Sequence, residues 1–305
     1  MSRLVLGSRG SALALAQVQL VREALLRAHP GLQIELKTIT TSGDRRQDAS
    51  AGEGSPAGLK GLFTKEIQEA LLDGSIHAAV HSLKDLPGIT PSALILAALL
   101  SRADTSDLLI STQYPTLAAL PPAARVGTGS VRRRHQLHWL RPALDIQDLR
   151  GNVPTRLQKL AGLDAIVLAR AGLDRLGYTL SPGRLDCAAG SFHATPLDIL
   201  PAIGQGAIGI EIRRDDTSTA ALLAPIDHTP THTCIRVERE LLRLLDGDCR
   251  LPVAARAILD SAGLLHARAL VFRSQDAPPA QAQATGPASD PEALAHTLFQ
   301  QLSAS

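Results

Sequence analysis

Aromatic residues are scarce in this 305-residue chain, with one Trp, two Tyr and four Phe, or 2% of the sequence. Few rings are present for bases to stack on, which argues against a single-strand nucleic-acid binder. The net charge is only +2, without the basic excess of a dedicated nucleic-acid protein. The three cysteines, Cys187, Cys234 and Cys249, are too few and too scattered for a disulfide framework or a zinc site. No run approaches the roughly 18 apolar residues of a membrane span. Met1-Ser2-Arg3-Leu4-Val5-Leu6-Gly7 leads straight into a strand, with none of the pattern of a signal peptide. The expectation is a cytoplasmic protein that engages neither nucleic acid nor membrane.

Apolar residues make up 45% of the chain, enough for two or three domains with cores of their own. Strand and helix alternate from the start. Leu4–Leu6 reads as a strand, and Ser11 is positioned to cap a helix with Leu13, Ala16, Leu20 and Val21 on one face. Gln33–Ile39 is a second strand. The stretch from Thr41 to Gly61 has no periodicity, and loops of that length are disordered or act as lids. A helix over Thr64–Leu72 precedes the buried run Ala78-Ala79-Val80.

Further strands are expected at Leu108–Ile110, Arg125–Gly127, Asp145–Leu149 and Ala165–Leu168. Helices are expected near Val131–Leu140, Pro154–Leu160 and Gly172–Leu176. Strands separated by helices imply parallel sheets with ligands at the carboxyl ends of the strands. Towards the end come a helix from about Thr231 to Leu245 with Cys234 in its apolar stripe, strands Val253–Leu259 and Leu264–Phe272, a connector Ala277–Pro287, and a final helix Pro291–Leu302.

What concentrates attention is the arginines. Gly127-Thr128-Gly129-Ser130-Val131-Arg132-Arg133-Arg134 and Arg150-Gly151-Asn152-Val153-Pro154-Thr155-Arg156 each follow an apolar run and open a helix. Backbone N–H groups at a helix start favour anions, and guanidinium forks grip carboxylate or phosphate in pairs. A small polyanion in a cleft is the implied ligand. Successive helical residues diverge by roughly 100°, so at most two of Arg132, Arg133 and Arg134 can face one cleft. Arg9, beside Ser11 at the first helix start, is a further anion-binding candidate or a solvated surface residue.

Asp85, in Ser82-Leu83-Lys84-Asp85-Leu86-Pro87, is either a turn aspartate satisfying local N–H groups or a carboxylate reaching into the cleft beside Lys84. A lone acid among bases suits an anionic substrate that passes through a cation, because it stabilises that cation and handles protons. Cys249 lies on a turn, Asp246-Gly247-Asp248-Cys249-Arg250, where a basic neighbour favours a reactive thiolate and two aspartates oppose it, so that composition alone favours an unremarkable exposed thiol. His77 and His81 fall on a strand without a third ligand, so no metal site is expected.

Taken together, Lys60-Gly61-Leu62-Phe63-Thr64-Lys65-Glu66, Ala79-Val80-His81-Ser82-Leu83-Lys84-Asp85-Leu86-Pro87, Leu149-Arg150-Gly151-Asn152-Val153 and Leu200-Pro201-Ala202-Ile203-Gly204-Gln205-Gly206-Ala207 resemble the porphobilinogen deaminase (hydroxymethylbilane synthase) family. The resemblance runs from Leu4 to about Pro252. It implies a transferase that condenses four porphobilinogen molecules head to tail, with loss of ammonia, on a covalent dipyrromethane cofactor. Each pyrrole brings an acetate and a propionate, which accounts for the arginines. Loss of ammonia leaves an azafulvene cation, which accounts for the acid.

By position, the resemblance makes Asp85 the catalytic aspartate and Cys249 the thioether anchor of the dipyrromethane. Ser82, Lys84, Thr128, Ser130, Arg132, Arg133, Arg150, Gly151 and Asn152 fall at cofactor-binding positions. Arg9, Ser11, Phe63, Arg150, Arg156, Arg175 and Gln205 fall at substrate-binding positions, with Phe63 on a mobile lid. The cysteine turn departs from the usual Gly-Gly-Cys, having Asp248 before the cysteine and Arg250 after it.

The implied fold is α/β: two periplasmic-binding-protein-like domains around a cleft plus a small α+β C-terminal domain. The first domain takes residues 1–100 and 200–218, the second 101–199 and the third 219–305. The resemblance also implies a monomer, and a cleft whose only central anion is Asp85. A different class of protein shares this outline, namely a non-catalytic anionic-solute-binding or effector-sensing module. Such a module needs neither Lys84-Asp85 nor Cys249.

Overall fold

The computed structural model describes residues 3–44, 64–245, 252–275 and 277–304. Phe63 and Cys249, and with them the expected lid and cofactor anchor, lie outside the described residues.

Three sheets organise the chain. In the first, Gln33–Thr38, Arg3–Ser8, Ala78–Ser82, Ile208–Arg213 and Leu94–Leu99 lie side by side in that order. The first three are parallel, but Ile208–Arg213 runs antiparallel to both of its neighbours. The second sheet has seven strands drawn from residues 107–196, and its Asp107–Ser111 is antiparallel to Ala165–Ala169. Both sheets are therefore mixed, a correction to the all-parallel expectation. The chain leaves the first sheet after Leu99 and re-enters it at Ile208 beside that same end, so the returning strand runs against its neighbours, and hydrophobic alternation carries no information on strand direction.

Helix Ala12–Ala28 covers the first sheet. Ser11 caps it by accepting a hydrogen bond from the Ala14 N–H at 3.3 Å. Its buried face is Gln17, Val18, Val21 and Leu25, so Leu20, placed in the core by the sequence pattern, is instead 40% exposed. The apolar residues of this helix occupy more than one face, and the pattern alone leaves the phase open.

The third sheet, Val253–Leu259, Leu264–Val271 and Ala280–Pro287, is antiparallel throughout. Its last strand replaces the expected connector. Alternating Ala and Gln lack the β-branched signal of a strand, yet Ala282 is buried while Gln281 and Gln283 face outward. Ala255, Ala257, Ala267, Ala269 and Ala282 make a shallow face on which helices Thr229–Leu244 and Pro291–Ala304 lie.

Two crossing segments join the first and second sheets and bond to each other. Ala103 N–H donates to the Gly206 carbonyl at 3.1 Å, and Arg102 Nε to the Gln205 carbonyl at 2.9 Å. Gly206 has φ +84°, and a Cβ there would come within 2.5 Å of the Ala103 oxygen, so only glycine fits. The third unit is tied on by Glu238, a buried carboxylate. It accepts the Arg102 fork at 2.6 and 3.0 Å and the N–H groups of Gly204 and Ala257, each at 2.9 Å.

Candidate active site

The polar turns lie at carboxyl ends of strands, as expected for ligand sites in α/β sheets. Strand Ala78–Ser82 runs into a single 3₁₀ turn, Leu83–Asp85. Leu83 is buried beneath the turn, and its N–H donates to Ala207, so the turn rests against the returning chain. Lys84 and Asp85 are left half-buried. Asp85 makes no side-chain hydrogen bond or ion pair with any described residue. It borders a cavity of about 60 Å³ shared with Arg9, Ser11, Gln17, His81 and Ser82.

Around that cavity Ser82, Gln17 and Arg9 are engaged. The Ser82 hydroxyl and the Gln17 amide bond each other at 2.8 and 3.0 Å. Arg9 holds Asp44 through Nε at 3.0 Å and Nη2 at 2.5 Å. Burial raises the Asp44 carboxyl, but the Arg9 fork and Thr41 outweigh it and leave the group below its ordinary range. His81 is buried, 3.5 Å from Glu211. Among the described residues, no cluster of His, Cys, Asp and Glu could hold a metal.

The second sheet supplies the cations. Thr128 is buried and its hydroxyl accepts from the Ser130 N–H at 3.2 Å. Ser130 in turn caps helix Val131–Leu140 through the Arg133 N–H. Arg132 and Arg133, 6% and 4% exposed, converge on Asp107, whose side chain is fully buried. Arg132 Nη2 meets one carboxylate oxygen at 2.7 Å and Arg133 Nη2 the other at 2.6 Å. Their Nη1 atoms donate to the carbonyls of Leu200 and Val167. Arg134 is half-buried and donates to the Ile146 carbonyl.

Asp107 is a second anion among these cations, fully buried and outside the cavity beside Asp85. Burial raises its carboxyl, but the charges of Arg133 and Arg132 overcome this and hold it far below the ordinary range. A three-arginine helix start that is buried requires a countercharge, and an aspartate heading the apolar run Leu108-Leu109-Ile110 was the available signal. Gln205, at the returning crossover, donates its Nε2 to Asp107 at 2.9 Å and to the Thr105 carbonyl at 2.7 Å.

Asn152 caps helix Val153–Lys159 by accepting from the Thr155 N–H at 2.9 Å. Gly151 precedes it at φ +115°, where a side chain would be strained. Arg156 donates through Nε to the Gly151 carbonyl at 2.7 Å. Desolvation, then the neighbouring charges of Arg133 and Arg150, pushes Arg156 down to about 10 against the opposing pull of Asp85 and Asp148. Lys84 is pushed down to about 8 by burial and by Arg133 and Arg132, partly offset by Asp85 and Asp107. Lys84, Asp85, Arg133 and Arg156 thus form one electrostatic cluster drawn from both sheets. Arg150 is exposed and pairs with Asp148 at 2.8 Å.

Arg175 stands apart from this cluster. It donates to the Gly206 carbonyl at 2.6 Å and lines a groove of about 1010 Å³ with Leu20, Arg27, Leu100, Ile226 and His228. Burial pushes it down to about 10. No other predicted site residue borders that groove.

The cluster carries more positive than negative charge, and several buried donors and acceptors are left over. Arg132 Nε, Arg133 Nε and Gln205 Oε1 are buried without a hydrogen-bond partner among the described residues. Leftover N–H groups beside desolvated cations fit a polycarboxylate such as a dipyrromethane bearing acetate and propionate arms. These features define a class: a two-sheet protein that sets one unpaired carboxylate beside buried cations suited to a polyanion.

Comparison with known proteins narrows the class. Residues 4–221 match the family described as porphobilinogen deaminase, dipyromethane cofactor binding domain, and residues 232–304 match the porphobilinogen deaminase C-terminal domain. The porphobilinogen deaminase of Moorella thermoacetica is 44% identical over 304 residues, covering 99% of this chain and 93% of that protein. That of Acidithiobacillus ferrooxidans is 46% identical over 292 residues, covering 95% and 90%. Among solved structures, the periplasmic aliphatic sulphonate binding protein SsuA from Escherichia coli is 13% identical with a TM-score of 0.38, over 82% of this chain and 72% of that one. The chain belongs to the porphobilinogen deaminase family.

Proposed function

We propose that the chain condenses four porphobilinogen molecules stepwise into hydroxymethylbilane, with Asp85 as the catalytic group and Cys249 as the anchor of the dipyrromethane. Bound there, the dipyrromethane would supply the free pyrrole α-position that the first incoming ring joins, each later ring joining the ring added before it. In each addition the aminomethyl C–N bond breaks, and its electron pair leaves with ammonia. The substrate pyrrole takes up the positive charge, a C–C bond forms, and the α-proton departs, with no change in oxidation state.

Asp85 is the one described carboxylate that is both unpaired and set among these cations, and that observation carries the reading. Its negative charge opposes the cation formed when ammonia leaves, and its oxygens are free to take and return protons. Arg132, Arg133, Arg156 and Lys84 bind acetate and propionate groups, while Arg9 and Ser11 face the incoming ring across the small cavity. Arg150, with its exposed fork, and Arg175, on the crossover groove, serve the lengthening chain. Thr128, Ser130, Asn152 and Gly151 shape the helix starts that hold the arginines, and Ser82 and Gln205 fix the rims of the cleft.

Residues 1–100 with 200–218, 101–199 and 219–305 act as three domains in this reading, in a monomer that works in the cytoplasm without a nucleic-acid partner. Among the described residues no helix is long and apolar enough to cross a membrane. Intact-protein mass spectrometry is the direct test. The purified chain is expected to exceed its sequence mass by one dipyrromethane, and Cys249→Ala to lose that excess. An unmodified, folded and inactive wild-type protein refutes the proposal.

A further inference from the structure

We infer that Asp107 is a positioning residue: it braces Arg132 and Arg133 against each other at the crossover and fixes where their unused Nε–H groups stand. The inference rests on the proposed function, since it concerns how the chain receives its dipyrromethane.

Two guanidinium groups side by side on adjacent helical residues repel, and each has many rotamers of similar energy when solvated. Here each has one. The Asp107 carboxylate takes one fork on each oxygen, at 2.7 and 2.6 Å, and the Leu200 and Val167 carbonyls take the Nη1 ends. Every Nη atom of the two groups thereby makes a hydrogen bond, and in each group the Nε–H is buried without a partner. A buried N–H left unpaired costs free energy, and a ligand carboxylate arriving there recovers it. The brace also leaves a net positive charge, because one carboxylate faces two guanidinium groups with Lys84 close by.

Gln205 extends the brace. Its Nε2 reaches both Asp107 and the Thr105 carbonyl, so the carboxylate is bonded to one crossing segment through the side chain of the other. Asp107 itself begins the strand that follows the first crossing, and its carbonyl accepts from Leu197 N–H at the start of the second. The orientation of the two arginines is thus joined to the backbone that links the sheets. Asp107 touches neither Asp85 nor the small cavity beside it, so its influence on the reaction runs through the arginines.

The test uses full-length protein produced free of dipyrromethane, then supplied with porphobilinogen while intact mass is followed. Asp107→Glu keeps the charge but moves it by one methylene. It is expected to melt cooperatively and yet to load its dipyrromethane about tenfold or more slowly, since an ångström-scale misplacement has effects of that order. In arginine-labelled wild type, the Nε–H resonances of Arg132 and Arg133 should shift on loading, and in Asp107→Glu they should not. A cooperatively folded Asp107→Glu that loads at the wild-type rate overturns the inference, as does a loaded wild type with unmoved Nε–H resonances. If Asp107→Glu does not fold, Gln205→Leu decides. It removes one hydrogen bond from the carboxylate without changing charge, and slower loading supports the brace while an unaltered rate sinks it. A wild type that never gains mass refutes the proposed function instead, so the two failures are distinguishable.

Discussion

Asp85 ends the turn that follows a strand of the first sheet and has no hydrogen-bonding side-chain partner, whereas Asp107 opens a strand of the second and has three. Both belong to one cluster of cations, and both influence Lys84. The turn at Asp85 follows a buried strand and projects its carboxylate beyond the core, while Asp107 is fully buried at the start of the central strand of its sheet, where Arg132 and Arg133 meet it. Environment thus separates two identical side chains into a chemical group and a structural one. A carboxylate already bonded by two guanidinium groups and an amide, and closed off from solvent, is not open to a reacting molecule. One left unsatisfied beside a cavity is.

Replacing each acid should break the comparison along that line, with the largest effect on turnover at Asp85. Asp85→Asn preserves shape and removes the charge that opposes the cation, so turnover should fall on the order of a thousandfold. Its melting should stay close to wild type, because no described partner loses a bond. Steady-state assays of ammonia release beside thermal unfolding check this. Turnover retained to within a few-fold would transfer the catalytic role elsewhere.

Stability should show the reverse order. Asp107→Ala leaves two buried guanidinium groups without their countercharge, a change that costs about 3–5 kcal/mol. Asp85→Ala removes a half-buried carboxylate with no hydrogen bond and should stay within about 0.5 kcal/mol. Denaturant titration of both variants measures the difference directly. Equal losses would mean that the two carboxylates are equivalent after all.

The same contrast explains what the sequence could reveal. Helix Val131–Leu140 has the bounds its pattern implies, and Ser11, Ser130 and Asn152 sit at the caps because such residues satisfy orphan N–H groups locally. Lys84 and Asp85 were legible for a similar reason, since a polar turn after a buried strand is a local signal. Asp107 was not, because its meaning lies in two arginines 25 and 26 residues away. Strand direction was hidden likewise: whether Ile208–Arg213 runs with or against its neighbours depends on how the chain returns. Leu20 was misplaced because a helix with apolar residues on several sides does not declare which one faces the sheet, and Ala280–Pro287 because alanine and glutamine fit a strand without advertising one.

The smallest expected effect is a change in pH response, and it concerns the lysine between the two acids. Burial and the charges of Arg133 and Arg132 bring Lys84 from the ordinary 10.5 down to about 8. A lowered lysine carries its charge below that value and sheds it as pH rises through it. The unfolded chain keeps the proton up to about 10.5, so between pH 8 and 10.5 it binds more protons than the folded one, and this group makes stability rise with pH. Anion binding needs the charged form and should weaken over the same interval. Loading of the dipyrromethane-free protein should therefore decline through about pH 8 while its melting temperature does not. Lys84→Arg keeps a cation throughout and should flatten the decline, provided the arginine fits. Asp107 is held so far below its ordinary range that it stays ionised across this interval, and the comparison with Lys84→Arg separates the lysine's loss of charge from ionisation of the Cys249 thiol. A decline that survives in Lys84→Arg would assign it to another group and remove the lysine from anion binding.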